Sequence, residues 1–186
     1  IQVQMSFWAR TFAKHGWRVY SFSENKQTTP VEGICFVEKM KKKWLSKMHL
    51  DIFQEWLDCQ HCVKVNPNIV IFRGASRYLF FLSRLCRKRN IPLLLFSASD
   101  TDFVPGKEIV GGSSTNRKLY QKAIGSINWF VTQNELQQNA LKNNYGKESL
   151  IIPNVWIPFE SQVVEKKYDA VWIANFRPLK RAEWNR

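Results

Sequence analysis

Two segments of this chain contain only apolar residues, and they constrain the fold more than any other feature. Ile69–Phe72 reads IVIF, and Leu93–Phe96 reads LLLF. A strand with one face in water alternates apolar and polar residues, whereas a strand of a parallel sheet covered on both faces is apolar throughout. The two segments are therefore predicted to be strands of a parallel sheet that is covered on both faces.

Amphipathic segments separate the predicted strands along the chain. From Tyr78 to Cys86, for example, apolar residues recur at helical spacing, and Pro92 then introduces the next strand. The predicted helices are Gln4–Gly16, Leu50–Leu57, Tyr78–Cys86, Lys118–Ala123 and the segment that ends at Gly146; the predicted strands are Trp17–Phe22, Ile34–Val37, Ile69–Phe72, Leu93–Phe96, Trp129–Thr132, Leu150–Ile152 and Ala170–Ala174. This alternation predicts an α/β fold with a Rossmann-like, doubly wound parallel sheet.

The last predicted helix of this series has a signal at each end. Thr132 and Glu135 have the spacing of a capping box, in which the first residue caps the helix and the second bonds back to it. Gly146 is suited to the left-handed conformation that commonly terminates a helix. The sequence therefore predicts a helix that begins just after Thr132 and ends at Gly146.

The charge and the cysteines limit the class of protein. A formal net charge of +13 favours anionic partners without choosing among them. The chain has no apolar run of about 18 residues, so no membrane span is predicted, and no signal peptide is recognised. Four scattered cysteines indicate a reduced, cytoplasmic protein. Cys59 and Cys62 are interpreted as structural residues that close a helix, since no second pair of ligands suggests a metal site.

Five segments, taken in order, resemble the retaining glycosyltransferases of the bacterial group 1 family, which have the GT-B fold. They are IQVQMSFWARTFAKHGWRVYSFS, IVIFRG, IPLLLFSASDTDF, WFVTQNELQQNALKNNYGKESLIIPNVWIP and DAVWIANFRPLKR. The resemblance spans essentially the whole chain. It implies that residues 1–153 are the amino-terminal, acceptor-binding domain without its first strand, that 154–167 are a linker, and that 168–186 begin the nucleotide-sugar-binding domain.

The family resemblance also implies an activity. Such an enzyme, a hexosyltransferase, moves a sugar from a nucleotide-sugar donor to a saccharide or lipid-linked acceptor, here in the synthesis of a cell-surface polysaccharide such as lipopolysaccharide. No cofactor and no metal are expected. The catalytic residues are expected mostly beyond Arg186, so the chain by itself is expected to be inactive.

The resemblance suggests where the donor diphosphate binds. Lys180 matches the lysine of the family loop that opens the nucleotide-sugar domain, and Arg177 and Arg181 lie beside it. Cationic side chains stabilise the charge that develops on a leaving diphosphate. The family usually has Gly-Arg where this chain has Asn175-Phe176, so Arg177 comes one place later. A basic cluster at the start of a surface helix is the alternative interpretation.

The acceptor is expected at the ends of the predicted strands. Ser99, Asp100 and Asp102 follow LLLF, near the place where family members often carry His-Asp. Either aspartate is a candidate for orienting an acceptor hydroxyl, and capping of the following loop is the alternative. Asn154 matches the family's IPNG step, where it either bonds to sugar hydroxyls or stabilises the turn.

A lysine-rich segment precedes the second predicted helix. Lys41, Lys42 and Lys43 adjoin Trp44, a composition that suits binding to an acidic membrane surface at the inner face. A solvated lysine-rich face is the alternative.

A second class of function stays open at this stage. A non-enzymatic α/β module that binds nucleic acid or another polyanion would also explain the net charge, but the chain shows no known nucleic-acid-reading motif. The sequence therefore favours the glycosyltransferase, and no nucleic-acid partner is expected.

Overall fold

From Asp51 to Ile151 helices and strands alternate along the chain, as the apolar pattern predicts. The computed structural model describes residues 2–23, 31–38, 51–110 and 113–154, which belong to one compact unit, Ile1–Val155. Their elements are α1 (Gln2–Lys14), β1 (Val19–Ser23), β2 (Ile34–Glu38), α2 (Asp51–Lys64), β3 (Val70–Arg73), α3 (Tyr78–Lys88), β4 (Leu93–Phe96), α4 (Ser114–Ile124), β5 (Trp129–Thr132), α5 (Glu135–Tyr145) and β6 (Leu150–Ile151).

Four of the strands form a sheet in which every neighbouring pair is parallel. Its order is β3-β4-β5-β6, with Ile71 opposite Leu94 and Leu95 opposite Phe130. Each strand is joined to the next by a segment that contains a helix, as parallel pairing requires. The predicted α/β fold with a parallel sheet is therefore confirmed, and β4 occupies the predicted Leu93–Phe96.

The other two described strands form a separate parallel pair. Val19 of β1 lies opposite Ile34 of β2, and among the described strands these two pair only with each other. Helix α1 contacts this pair and also the larger sheet, where the Trp8 ring packs edge-on against Phe96 at 4.5 Å between centroids. Apolar runs identify strands but do not determine which strands share a ladder, which is why the pattern did not predict two sheets.

The core lies between the four-stranded sheet and the helices α2, α3 and α4. Leu79 and Cys86 of α3 are buried there, together with Leu93 and Leu95 of β4. Cys59 of α2 is also buried, and burial raises the pKa of the Cys59 and Cys86 thiols. Reactive thiols need surroundings that lower the pKa, so the buried Cys59 has the environment expected of a structural cysteine.

Helix α2 corrects one detail of the sequence interpretation. The cysteine pair does not close the helix, which continues to Lys64. Apolar spacing persists beyond Leu57, since Cys59 and Val63 are its buried residues. Cysteine behaves as a small apolar side chain in such a position, and so it extends the buried face of a helix instead of ending it.

The amino-terminal end of α5 is a second correction. Thr132 is the buried last residue of β5, and the helix begins two residues later than predicted. The cap is Asn134, whose extended backbone lets its Oδ1 accept from the Gln137 N–H at 2.9 Å. Gly146 ends the helix with φ of 61°, as predicted. Helix α4 differs in the opposite direction, since it begins at Ser114, before the predicted Lys118. Ser113 Oγ caps it by accepting from the Asn116 N–H.

Candidate functional site

Polar side chains collect at one edge of the four-stranded sheet. Because β3, β4, β5 and β6 are parallel, their carboxyl ends share an edge, which is where open parallel sheets bind ligands. Hydrogen bonds join residues from all four strand ends into what we call the edge network: Arg73, Ser97, Asp100, Gln133, Asn134, Gln137 and Asn154.

Gln137 lies at the centre of the edge network. It is 2% exposed, on the first turn of α5. Its Oε1 accepts from the Gln133 backbone N–H at 2.8 Å and from the Ser97 hydroxyl, and its Nε2 donates to Asp100 Oδ1 at 2.9 Å. A buried amide bonded on both sides fixes its neighbours, so Gln137 sets the relative position of the loops after β4 and β5.

Asn154 connects the first strand of the sheet to the last. Its Oδ1 accepts from Arg73 Nη2 at 3.0 Å, and its Nδ2 donates to Gln133 Oε1 at 2.8 Å. Gln133 in turn donates from Nε2 to the Ser97 carbonyl at 2.7 Å. Both polar atoms of the exposed Asn154 side chain therefore have side-chain partners from other strand ends, while the side chain stays accessible.

Asp100 and Asp102 differ sharply in their surroundings. Asp100 is exposed, and two side-chain amides hold its Oδ1: Gln137 at 2.9 Å and Asn134 at 3.2 Å. Its Oδ2 forms no hydrogen bond with the residues that the structure describes. Asp100 is therefore a fixed carboxylate with one oxygen available to a ligand.

Asp102, by contrast, is buried and binds the backbone of its own loop. It is 2% exposed, and its Oδ2 accepts from the backbone N–H groups of Ala98 at 2.7 Å and Ser99 at 3.1 Å. The Ser99 hydroxyl is also used locally, at 3.1 Å from Thr101 Oγ1. For Asp102, the geometry matches the loop-capping interpretation that the sequence left open.

The Asp102 carboxyl is expected to leave a signature in the pH dependence of stability. Burial raises its pKa, although the two backbone N–H groups and the charge of Arg73 oppose the rise. Between the ordinary aspartate pKa, about 4, and the raised one, the folded protein holds a proton that the unfolded chain releases. The free energy of unfolding therefore falls as pH rises through that window.

Asp102→Asn keeps an oxygen acceptor for the backbone and removes the titration. We expect a flatter dependence of the unfolding free energy on pH above about pH 4, measured by urea denaturation at a series of pH values. An unchanged slope in Asp102→Asn would show that the carboxyl titrates normally in the folded state.

Arg73 is the cation of the edge network. It is the last residue of β3, half-buried, and Gly74 directly after it has φ of 83°. The Gly74 N–H donates to the Phe96 carbonyl at 2.8 Å, and an added Cβ would lie 3.2 Å from Ala98 Cβ. A glycine is needed there because the left-handed backbone and the close approach both exclude a side chain.

A cavity of about 240 Å³ opens farther along the same connection. It lies at the amino-terminal end of α3 and is lined by Glu55, Ala75, Ser76, Arg77, Tyr78, Val110 and Asn116. Arg77 Nε lies 2.7 Å from Glu55 Oε2. Because this ion pair neutralises the Arg77 charge, the cavity attracts anions less than a cavity lined by an unpaired arginine would.

The remaining predicted site residues fall outside the described part of the chain. These residues are Lys41, Lys42, Lys43, Trp44, Arg177, Lys180 and Arg181. The predicted strand 170–174 and all of the predicted linker except Asn154 also lie outside the described residues. The helix that follows the lysine-rich segment is described, and it exposes Ile52, Phe53 and Trp56. Among the described helices none is long and apolar enough to cross a membrane.

Comparison with known proteins does not assign a family. Neither a scan against protein-family models nor a search of curated proteins finds a match for this chain. Within the described residues, no group of three or more histidine, cysteine or acidic side chains is arranged to hold a metal ion.

Sequence reasoning missed five residues of the edge network: Arg73, Ser97, Gln133, Asn134 and Gln137. Two of them show the signal that was present in the sequence. Arg73 is a charged residue directly between an apolar strand and a glycine, and Gln133 directly follows the predicted strand Trp129–Thr132. Polar residues at the carboxyl end of a buried parallel strand are the general signal for such a site.

Proposed function

We propose that this chain supplies the acceptor-binding side of a retaining glycosyltransferase with the GT-B fold. The observation that supports it most strongly is Asp100: an exposed carboxylate, held by two amides at the carboxyl edge of a parallel sheet, with one oxygen free of the described residues. A carboxylate in that situation accepts a hydrogen bond from a sugar hydroxyl and orients it for attack.

The parallel α/β architecture and the segment resemblance support the same proposal. The doubly wound Rossmann-like sheet, the GT-B identity and the role in cell-surface polysaccharide synthesis are parts of this proposal. The donor is a nucleotide sugar bound by a second domain, and the acceptor is a saccharide or a lipid-linked saccharide. The net charge of +13 suits a partner that carries phosphate.

The test is sugar transfer by an enzyme that contains this chain and the nucleotide-sugar domain. A panel of nucleotide sugars is offered with saccharide and lipid-linked acceptors, and products are detected by mass spectrometry. Asp100→Asn keeps the bonded oxygen and removes the charge, so we expect kcat/KM for the acceptor to fall roughly 10- to 100-fold, with little change in slow donor hydrolysis.

The matched control is Glu148→Gln, which makes the same change of charge at a residue paired with Lys142. It is expected to transfer sugar at the wild-type rate. Absence of transfer from every donor, together with tight binding of oligonucleotides, would favour the non-enzymatic polyanion-binding module instead.

We also propose that the protein associates with the acidic inner face of a membrane. The lysine-rich segment with Trp44 directly precedes α2, whose Phe53 and Trp56 rings stack at 5.6 Å and are exposed. Aromatic groups beside lysines suit the headgroup region of an anionic bilayer.

Co-sedimentation with vesicles measures this association. We expect binding to vesicles that contain phosphatidylserine, weaker binding at high salt, and a loss of about tenfold for Trp56→Ser because a large apolar side chain no longer enters the interface. Equal binding to neutral vesicles would contradict the electrostatic part, and unchanged binding by Trp56→Ser the apolar part.

A further inference from the structure

The Arg73 guanidinium has an unused donor beside a used one. Nη2 donates to Asn154 Oδ1 at 3.0 Å, while Nε is shielded from solvent and has no hydrogen-bond partner. These two N–H groups lie in the guanidinium plane along one edge and point the same way, so they form the edge that binds two oxygens of one anion. A neutral amide oxygen therefore takes only half of a two-donor edge.

The positive charge of Arg73 is also not neutralised by direct contact. It forms an ion pair with none of the carboxylates in the described part of the chain, whereas Arg77, four residues later, is paired with Glu55. The nearby Asp102 places its Oδ2 on the backbone of Ala98 and Ser99. Asp102 attracts Arg73 through space, but none of the described carboxylates contacts the guanidinium. A half-buried guanidinium of this kind attracts an anion because solvent screens it only in part.

We propose that Arg73 binds an anionic group, a phosphate or a carboxylate, carried by the ligand of this sheet edge. The anion takes the place of the Asn154 amide oxygen on Nη2 and reaches Nε as well. The exposed Asn154 side chain turns aside to let it enter, and its amide then becomes available to a neighbouring hydroxyl. This makes the acceptor an acidic or phosphorylated saccharide, and only the saccharide part rests on the proposed function.

The position of Arg73 in the network suits this exchange. Asn154 is held by Arg73 on one side and by Gln133 on the other, both through exposed contacts. Releasing it from Arg73 leaves Gln133 fixed to the Ser97 carbonyl. The rest of the edge network, including the bonds to Asp100, is therefore preserved when the anion binds.

Calorimetric titration of the whole chain tests the proposal with four probes: inorganic phosphate, glucose 6-phosphate, glucuronic acid and glucose. We expect the wild type to bind the anionic sugars more tightly than glucose. Arg73→Lys keeps the charge and removes the two-donor edge, so it is expected to weaken anion binding about tenfold or more. Arg73→Gln is expected to weaken it further. Arg87→Gln, an exposed residue of α3, makes the same change of charge and is expected to bind as the wild type does.

The outcomes separate this proposal from the proposed function. Unchanged anion affinity in both Arg73 variants would overturn the anion site, as would glucose binding as tightly as glucose 6-phosphate. In the second case the saccharide function would survive. If inorganic phosphate and glucose 6-phosphate bind equally through Arg73, the anion site stands and the saccharide function loses its support.

Discussion

Gln137→Ala is expected to lower the free energy of unfolding by about 2–4 kcal/mol. The substitution removes an amide that is almost fully buried and bonded on both sides. It leaves the Gln133 N–H and the buried Ser97 hydroxyl without their acceptor. A buried donor without a partner costs far more than a hydrogen bond gains, which is why a single side chain has so large an effect. Urea denaturation measures the change.

Asn139→Ala is the matched control for this substitution. It deletes the same chemical group from an exposed position of the same helix, where alanine is the better helix former. We expect a change of at most about 0.5 kcal/mol, in the stabilising direction if any. Equal unfolding midpoints for the two variants would mean that the edge network contributes nothing to stability.

Lys180→Ala is expected to lower catalytic efficiency by about 30- to 1000-fold while leaving the fold intact. The reason is that a charge-assisted bond to the leaving diphosphate, used in the transition state, is worth roughly 2–4 kcal/mol. The measurement is kcat/KM for sugar transfer in an enzyme that includes the remainder of the nucleotide-sugar domain. Lys180 lies outside the described residues, so this prediction rests on the resemblance alone.

Arg177→Ala is the necessary comparison, because Phe176 stands where the family usually has arginine. Near-full activity of Lys180→Ala together with a large loss in Arg177→Ala would mean that Arg177, and not Lys180, binds the diphosphate. The alignment of this loop with the family loop would then be wrong. If neither substitution lowers activity, the segment ANFRPLKR no longer supports a glycosyltransferase.

The inner strands β4 and β5 were predictable because burial leaves a continuous apolar run in the sequence. LLLF and WFVT lie where the structure has β4 and β5, and Gly146 ends α5 as predicted. The start of α5 was less predictable because two residues near it were suitable caps. At α5, Asn134 competed with Thr132, whose hydroxyl is used by Ser149 at 3.0 Å across the sheet.

The candidate site was predictable in its location but not in its division of roles. Parallel strands place Asp100, Asp102 and Asn154 at one edge whatever their contacts are. That Asp102 is buried while Asp100 is exposed depends on how the loop folds around its own backbone, which no spacing reveals. The Arg73 contact with Asn154 joins residues 81 positions apart, from strands that are not paired with each other, and no local pattern in the sequence predicts such a contact.

The most direct test of the central claim is to map saccharide binding on the amide spectrum of the ¹⁵N-labelled chain. Neutral, acidic and lipid-linked saccharides are added in turn, and a short oligonucleotide serves as the comparison. We expect saccharides to shift the amide signals of Ser99, Asp100, Gln133 and Asn154, at the carboxyl edge of the sheet. If saccharides leave these four signals unmoved while the oligonucleotide shifts them, this edge does not bind a saccharide acceptor.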